Sequence, residues 1–233
     1  MQNKPNVAPL IPVPFQRELD LVSAFNTFLR CTGLPSNTHL VFEFESGHGI
    51  ADLVMFNTHK SFKQQTDNFA NIPPRYAVIF GRGLLPKRFS AELFGELAGT
   101  GIGASVRILN QLVKHGVLKR VENKVYENYG KLVCPIDSIV SVEAKLSNWY
   151  SALRQAYRYR EFSNQSWVLL DATRVSPALK QIQKFIRSGV GLASISTGGA
   201  LIIYYEPPVT DPFSESRYWA ACVYLARRSL AVL

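Results

Sequence analysis

Apolar and polar positions change period several times along the chain, and each change marks an element. Phe15, Leu19, Val22, Phe25 and Leu29 recur at helical spacing and predict a helix from Phe15 to Arg30. Glu18 falls inside that stripe, between Phe25 and Leu29 in projection. A carboxylate on a core-facing stripe is unusual; it reads either as a boundary glutamate or as one that reaches a metal. Leu34-Pro35-Ser36-Asn37 breaks the pattern. Leu40 to Glu45 and Ile50 to Phe56 then read as two strands around the turn Ser46-Gly47-His48-Gly49, a hairpin. Ile50, Asp52, Val54 and Phe56 share one face, and Asp52 interrupts it at a cost. His48 reads as a solvated turn residue.

Residues 58–74 are polar and turn-rich. Ser90 is placed to cap a helix whose apolar side is Leu93, Phe94 and Leu97. After the turn Gly99-Thr100-Gly101, a second helix is expected from Gly103 to His115, with Val106, Leu109, Leu112 and Val113 inward and Gly116 as its stop. Val117 to Tyr126 reads as a small hairpin. Helix, turn, helix, basic hairpin is the order of a winged helix-turn-helix. That reading puts Ser105, Arg107, Asn110, Gln111 and Lys114 on the outer face of the second helix, and Lys119, Arg120 and Lys124 on the wing. The plainer reading is a module that packs or dimerises.

A strand is expected from Ile139 to Leu146. Alternation puts Ser141, Glu143 and Lys145 on one face and Val140, Val142, Ala144 and Leu146 on the other. An acid and a base side by side on an apolar strand are costly to bury, and metal-assisted phosphodiester cleavage is a reaction that uses both. The alternative is a surface ion pair on an edge strand, which requires the Ser141 face to be solvated. Asn148 to Phe162 reads as a helix with Asn148, Ala152, Gln155 and Tyr159 on one side and Arg154, Arg158 and Arg160 adding charge. Trp167 to Leu170 is a buried strand, Ser176 to Arg187 a helix with Ser176 as cap and Pro177 first, and Gly189–Ile195 and Ala200–Tyr205 two more strands. Glu215 to Leu230 is a closing helix with Tyr218, Cys222 and Leu225 inward.

Charge sharpens this picture. The net charge is +9, and Arg75 to Lys131 carries ten Lys or Arg against four Asp or Glu, so that segment holds most of the excess. A polyanion, nucleic acid first, is the favoured partner. Cys31, Cys134 and Cys222 are far apart, and the four histidines form no ligand-spaced pair, which argues against structural zinc and for a reducing, cytoplasmic setting. No apolar stretch reaches the roughly 18–20 residues of a membrane span. Met1 to Pro14 reads as a flexible or extended arm without signal-peptide architecture. Neither Gly99–Gly103 nor Gly189–Gly191 has the context of a nucleotide-binding loop, so no nucleotide cofactor is expected, and no Ser-His-Asp elbow is present.

Three motifs occur in order: Gly-Ile-Ala-Asp52, then Glu143-Ala144-Lys145, then Gln155-Ala-Tyr-Arg-Tyr159. Together they resemble the PD-(D/E)XK nuclease superfamily. The resemblance covers the chain apart from the N-terminal arm, residues 58–134 and the last helix. It implies an α/β fold: a restriction-endonuclease-like core, with a mixed central sheet flanked by helices, over 1–57 and 135–233, and an inserted winged-helix domain over 58–134. About ninety positions separate Asp52 from Glu143, and the insertion accounts for them.

The activity implied is that of a DNA endonuclease using Mg²⁺ or Mn²⁺, in restriction, phage defence or a mobile element. Asp52, Glu143, the Ala144 carbonyl and Glu18 would hold the metal, with Glu43 and Glu45 as rivals for the place of Glu18. Lys145 would stabilise charge on the phosphate, and Gln155 would orient the site. Arg154 and Arg158 would meet DNA; Tyr159 is open between a phosphate contact and packing. Double-stranded DNA is the expected substrate, and a homodimer the expected assembly, because cutting both strands needs two sites or two binding events. The contrasting function is a non-catalytic DNA-binding regulator on an inactivated nuclease fold.

Overall fold

The computed structural model describes residues 13–47, 49–59, 62–129 and 133–230; His48 and most of the N-terminal arm lie outside them. The protein is α/β, with a mixed six-stranded sheet flanked by helices. In sheet order the strands are β1 (Thr38–Glu45), β2 (Ile50–Thr58), β6 (Ile136–Lys145), β7 (Gln165–Asp171), β8 (Gly191–Ile195) and β9 (Leu201–Tyr205). The chain divides into two compact units. One gathers residues up to Leu34, Val142–Tyr157 and Ser166–Pro208; the other gathers Pro35–Ser141, Arg158–Gln165 and the chain from Val209. Strand β6 passes from the second into the first between Ser141 and Val142.

In the second unit, β1 and β2 form the expected antiparallel hairpin, with Phe42 opposite Leu53 and Phe44 opposite Ala51. The chain then leaves the sheet and returns at β6, and the two ends of the excursion meet. The His59 amide donates to the Pro135 carbonyl at 3.1 Å, His59 Nε2 lies 2.9 Å from Asp137 Oδ1, and the Asn57 amide donates to Ser138 Oγ at 3.2 Å.

Between those ends lie α2 (Phe62–Ala70), a 3₁₀ turn at Pro74–Tyr76, α3 (Ala77–Gly81), β3 (Arg88–Ser90), α4 (Ala91–Ala98), α5 (Ile102–Lys114), β4 (Leu118–Glu122) and β5 (Val125–Asn128). The short strands form a separate sheet in the order β3-β5-β4. Ser90 caps α4 as its sequence implied, accepting the Leu93 amide at 3.3 Å. Gly99 and Gly116 take the left-handed conformation after α4 and α5. Phe94, Leu109 and Leu112 point inward as expected, but Leu97 is 40% exposed.

Helix α2 replaces the turn-rich stretch expected at 58–74. Its sequence is polar, and its stabilisation is tertiary. Phe69 is buried against Trp219, ring centroids 6.0 Å apart. Arg227 of α9 (Glu215–Leu230) donates to the carbonyls of Ala70 and Ile72 at 2.7 and 2.9 Å, satisfying acceptors at the end of α2. Helix α9 buries Ala221, Cys222, Leu225 and Ala226 in a core that runs continuously from Phe44 and Phe56 to Phe94, Leu109 and Tyr126. The described part of 58–134 therefore shares one core with the hairpin and α9. Burial pushes the Cys222 thiol and the Tyr218 phenol up from their ordinary values.

The first unit holds α1 (Glu18–Thr32), the end of β6, α6 (Trp149–Tyr159, its last turn passing to the second unit), β7, α7 (Ser176–Leu179), α8 (Ile182–Ser188), β8 and β9. Strands β7 and β8 are parallel, from Trp167 opposite Gly191 to Asp171 opposite Ile195, and β8 and β9 are antiparallel. Its core is Ala152, Leu153, Ala156, Val168, Leu170, Phe185 and Leu192 with their neighbours. The buried Asp171 accepts the Phe15 amide at 2.9 Å, fixing the chain just ahead of α1.

Three expectations here are corrected. Leu19 is 65% exposed, and the inward stripe of α1 is Leu21, Phe25 and Leu29. The single helix expected over 176–187 is two, interrupted where Gln181 leaves helical geometry at φ −119°. Ser176 is the first residue of α7 and makes no side-chain cap.

A Cβ on Gly191 would lie 2.3 Å from the Trp167 ring. Gly191→Ala is expected to cost about 1–3 kcal/mol of unfolding free energy through overpacking, read from the urea midpoint at unchanged slope.

Candidate active site

The second half of β6 is buried on both faces. Ser141, Val142, Glu143 and Ala144 are all at most 3% exposed, so the Ser141 face is not solvated and the surface ion pair does not describe it. A carboxylate withdrawn from water needs a partner. Lys145, two residues on and therefore on the same face, supplies it. Its Nζ lies 3.0 Å from Glu143 Oε1, and also donates to Glu18 Oε2 at 3.1 Å and to the Ala144 carbonyl at 3.2 Å. One ammonium is thus held by three oxygens. The Lys145 side chain is 19% exposed, Glu143 1% and Glu18 46%.

Glu18 reaches this group from the first residue of α1. It lies at the boundary of the helix's buried stripe rather than in the core. Its rivals lie elsewhere. Glu45 pairs with Ile50. Glu43 falls between the register pairs that flank Asp52 and so stands opposite it, with a left-handed backbone at φ +50°. Such a conformation is strained for a glutamate. Asp52 itself is half-buried on β2, between the fully buried Ala51 and Leu53. It belongs to the second unit, whereas Glu18, Glu143, Lys145 and Gln155 belong to the first.

Helix α6 follows β6 directly and is capped by Asn148, whose Oδ1 accepts the Ser151 amide at 3.1 Å. Gln155 Oε1 is buried and accepts no hydrogen bond from the described residues; leaving such an acceptor unsatisfied is costly. Tyr159 is completely buried, and its hydroxyl donates to the Ile50 carbonyl at 2.7 Å. It packs, and the phosphate contact considered for it is not available. Arg154 and Arg158 are exposed as expected, and so are Tyr150 and Tyr157. The sequence reading passed over those tyrosines; their signal was the spacing 150, 154, 157 on one helical face.

On α5, Arg107, Gln111 and Lys114 are exposed, and so are Lys119, Arg120 and Lys124 at the β4–β5 hairpin. Asn110 is exposed too, though its Oδ1 accepts the Tyr126 hydroxyl at 2.9 Å. Ser105 is corrected. It is fully buried, donates to the Gly101 carbonyl at 3.1 Å and lies 2.9 Å from Thr100 Oγ1. Residues 105, 109 and 112 form the inner stripe, a spacing legible in the sequence. Gly95 makes room there: a Cβ at that position would come within 2.9 Å of Ser105 Oγ.

The donor set around Lys145 suits a hard divalent cation, being carboxylates and a carbonyl that already converge on a positive charge. Among the described residues, no three His, Cys, Asp or Glu side chains are gathered tightly enough to hold a metal by themselves. Also among the described residues, no helix is long and apolar enough to cross a membrane. Comparison with protein-family models, curated proteins and solved structures finds no match to this chain.

Lys145→Met should lower the unfolding free energy by about 3–5 kcal/mol by taking the cation away from the buried Glu143 carboxylate, against under about 1 kcal/mol for Glu18→Gln on the half-exposed side of the pair; chemical denaturation of the two variants checks the ranking. Tyr159→Phe should cost about 1–3 kcal/mol, from the unsatisfied Ile50 carbonyl, read from the urea midpoint at unchanged slope.

Proposed function

We propose that this chain is a metal-dependent DNA endonuclease with a PD-(D/E)XK core and an inserted winged helix. The observation that carries the reading is the convergence of Glu18, Glu143 and the Ala144 carbonyl on one cation, the Lys145 ammonium. Those are three of the four ligands expected from the sequence, and Asp52 stands on β2, the strand next to β6 in sheet order.

In this reading Glu143, the Ala144 carbonyl and Glu18 would hold Mg²⁺ or Mn²⁺, and Asp52 is the further ligand that the motif names. An ion held there would supply Lewis-acid polarisation of the scissile phosphate. Lys145 supplies positive charge where negative charge develops on the phosphate. Gln155, with an acceptor atom to spare, orients the site from α6. The order α3, β3, α4, α5, β4, β5 with a β3-β5-β4 sheet supports the winged helix. Its outer residues Arg107, Gln111, Lys114, Lys119, Arg120 and Lys124 engage double-stranded DNA, and two copies of the chain cut its two strands.

Supercoiled plasmid incubated with Mg²⁺ or Mn²⁺ should be nicked by the protein and at least about a hundredfold more slowly by Asp52→Ala or Lys145→Ala. Tight plasmid binding with no cleavage in either ion would overturn the enzyme reading and leave a DNA-binding regulator. Arg107→Ala and Lys119→Ala should each weaken duplex binding similarly across sequences and reduce the slope of log K against log salt by about one. Ser105→Ala should leave that slope unchanged.

A further inference from the structure

Helix α6 begins four residues after Lys145, and its outward side is not that of an ordinary solvated helix. Its inward face is Ala152 and Ala156, both fully buried. The outward face within the first unit reads Tyr150, Arg154, Tyr157, at spacings of four and three residues that stack side chains along one face. Tyr150 is 54% exposed and Tyr157 47% exposed. Lys184 of α8 extends this surface, its ammonium 5.6 Å from the centroid of the Trp149 ring and 5.8 Å from that of Tyr150. Trp149 in turn packs on Phe185 in the core, with centroids 6.1 Å apart, so the platform has a rigid base.

Charge selects the occupant. No Asp or Glu occurs between Leu146 and Tyr157, nor between Ala172 and Tyr205, the stretches that supply α6 and α8 to this unit. The same stretches carry Arg154, Arg174, Lys180, Lys184 and Arg187. Helices whose own charges are all positive attract a polyanion. Charge alone would serve a duplex backbone, which offers phosphates but keeps its base faces stacked inside. Two exposed tyrosine rings two turns apart on one helix face, with Arg154 between them, offer flat apolar faces, and these match bases that are not stacked in a duplex.

We infer that the Tyr150–Arg154–Tyr157 face of α6, with Lys184, binds a single-stranded nucleic-acid segment, its bases on the tyrosine rings and its phosphates on the cations. The inference rests on the nuclease reading and names its substrate class: DNA with an unpaired segment beside the scissile phosphate, such as an overhang, flap or junction. Five residues from Lys145 to Tyr150 span at most about 18 Å, so such a segment lies within a few nucleotides of the Glu143–Lys145 group.

The test measures binding in EDTA, without cleavage, of a fluorescent oligo(dT) and of a blunt duplex of equal length. Tyr150→Ala and Tyr157→Ala should each weaken oligo(dT) binding about tenfold, with duplex binding changed less than twofold. Tyr150→Phe should restore oligo(dT) binding, because the ring and not the hydroxyl stacks. Unchanged oligo(dT) binding in the double alanine variant overturns the inference. Equal losses on oligo(dT) and duplex also overturn it, since they signify charge or misfolding rather than stacking. A shift of the double variant to a smaller species in gel filtration with oligo(dT) affinity intact overturns it in favour of a face that meets a second copy. The nuclease reading fails separately: plasmid nicking with no tyrosine effect removes only this inference, and a tyrosine effect without nicking removes only the catalytic one.

Discussion

Glu143 has given up nearly all contact with water, and much of the first unit's local arrangement follows from finding it a partner. A buried carboxylate is tolerated only when a cation and hydrogen-bond donors replace the lost solvent. Lys145 does this from two residues away on the same strand face. That requires β6 to end at Lys145 and to keep its alternation to the last residue. It also requires α1 to start where Glu18 can take the outer side of the ammonium, and the Phe15 amide on Asp171 holds the chain in place just before that start. A local strand pattern, a helix terminus and a buried aspartate thus serve one charge pair.

The sequence made this pair visible for a simple reason. Strand periodicity is short and regular, so two residues can be assigned to one face without knowing anything distant. The same holds for the hairpin, for Ser90 and for the whole of α9, all of which rest on local chemistry. What escaped was held together from far away. Helix α2 is polar and would not form by propensity; its terminal carbonyls are met by Arg227, more than 150 residues downstream. Ser105 and Leu19 failed differently. Each was placed by a face assignment that was wrong by part of a turn, and an amphipathic helix with a wide apolar side tolerates that error until its packing partner is known.

Tyr159 and Gln155 show why motif spacing is a blunt instrument. Both fit one short pattern on one helix. Tyr159 turns out to be a core residue that fixes the first carbonyl of β2, while Gln155 keeps a buried acceptor with no partner among the described residues. Spacing places two side chains on the same helix; only burial and partners tell a structural hydroxyl from an available amide.

The meeting of His59 with Pro135 has a consequence for how the chain finds its fold. Closing a long loop costs chain entropy that grows with the logarithm of its length, and residues 58–134 stand between two strands that are neighbours in the sheet. Once that segment has folded, its ends are one hydrogen bond apart, and the effective loop shrinks to a few residues. The long detour then brings β6 back to β2 as closely as a short turn would. A large insertion can therefore sit between two halves of one sheet without keeping them apart.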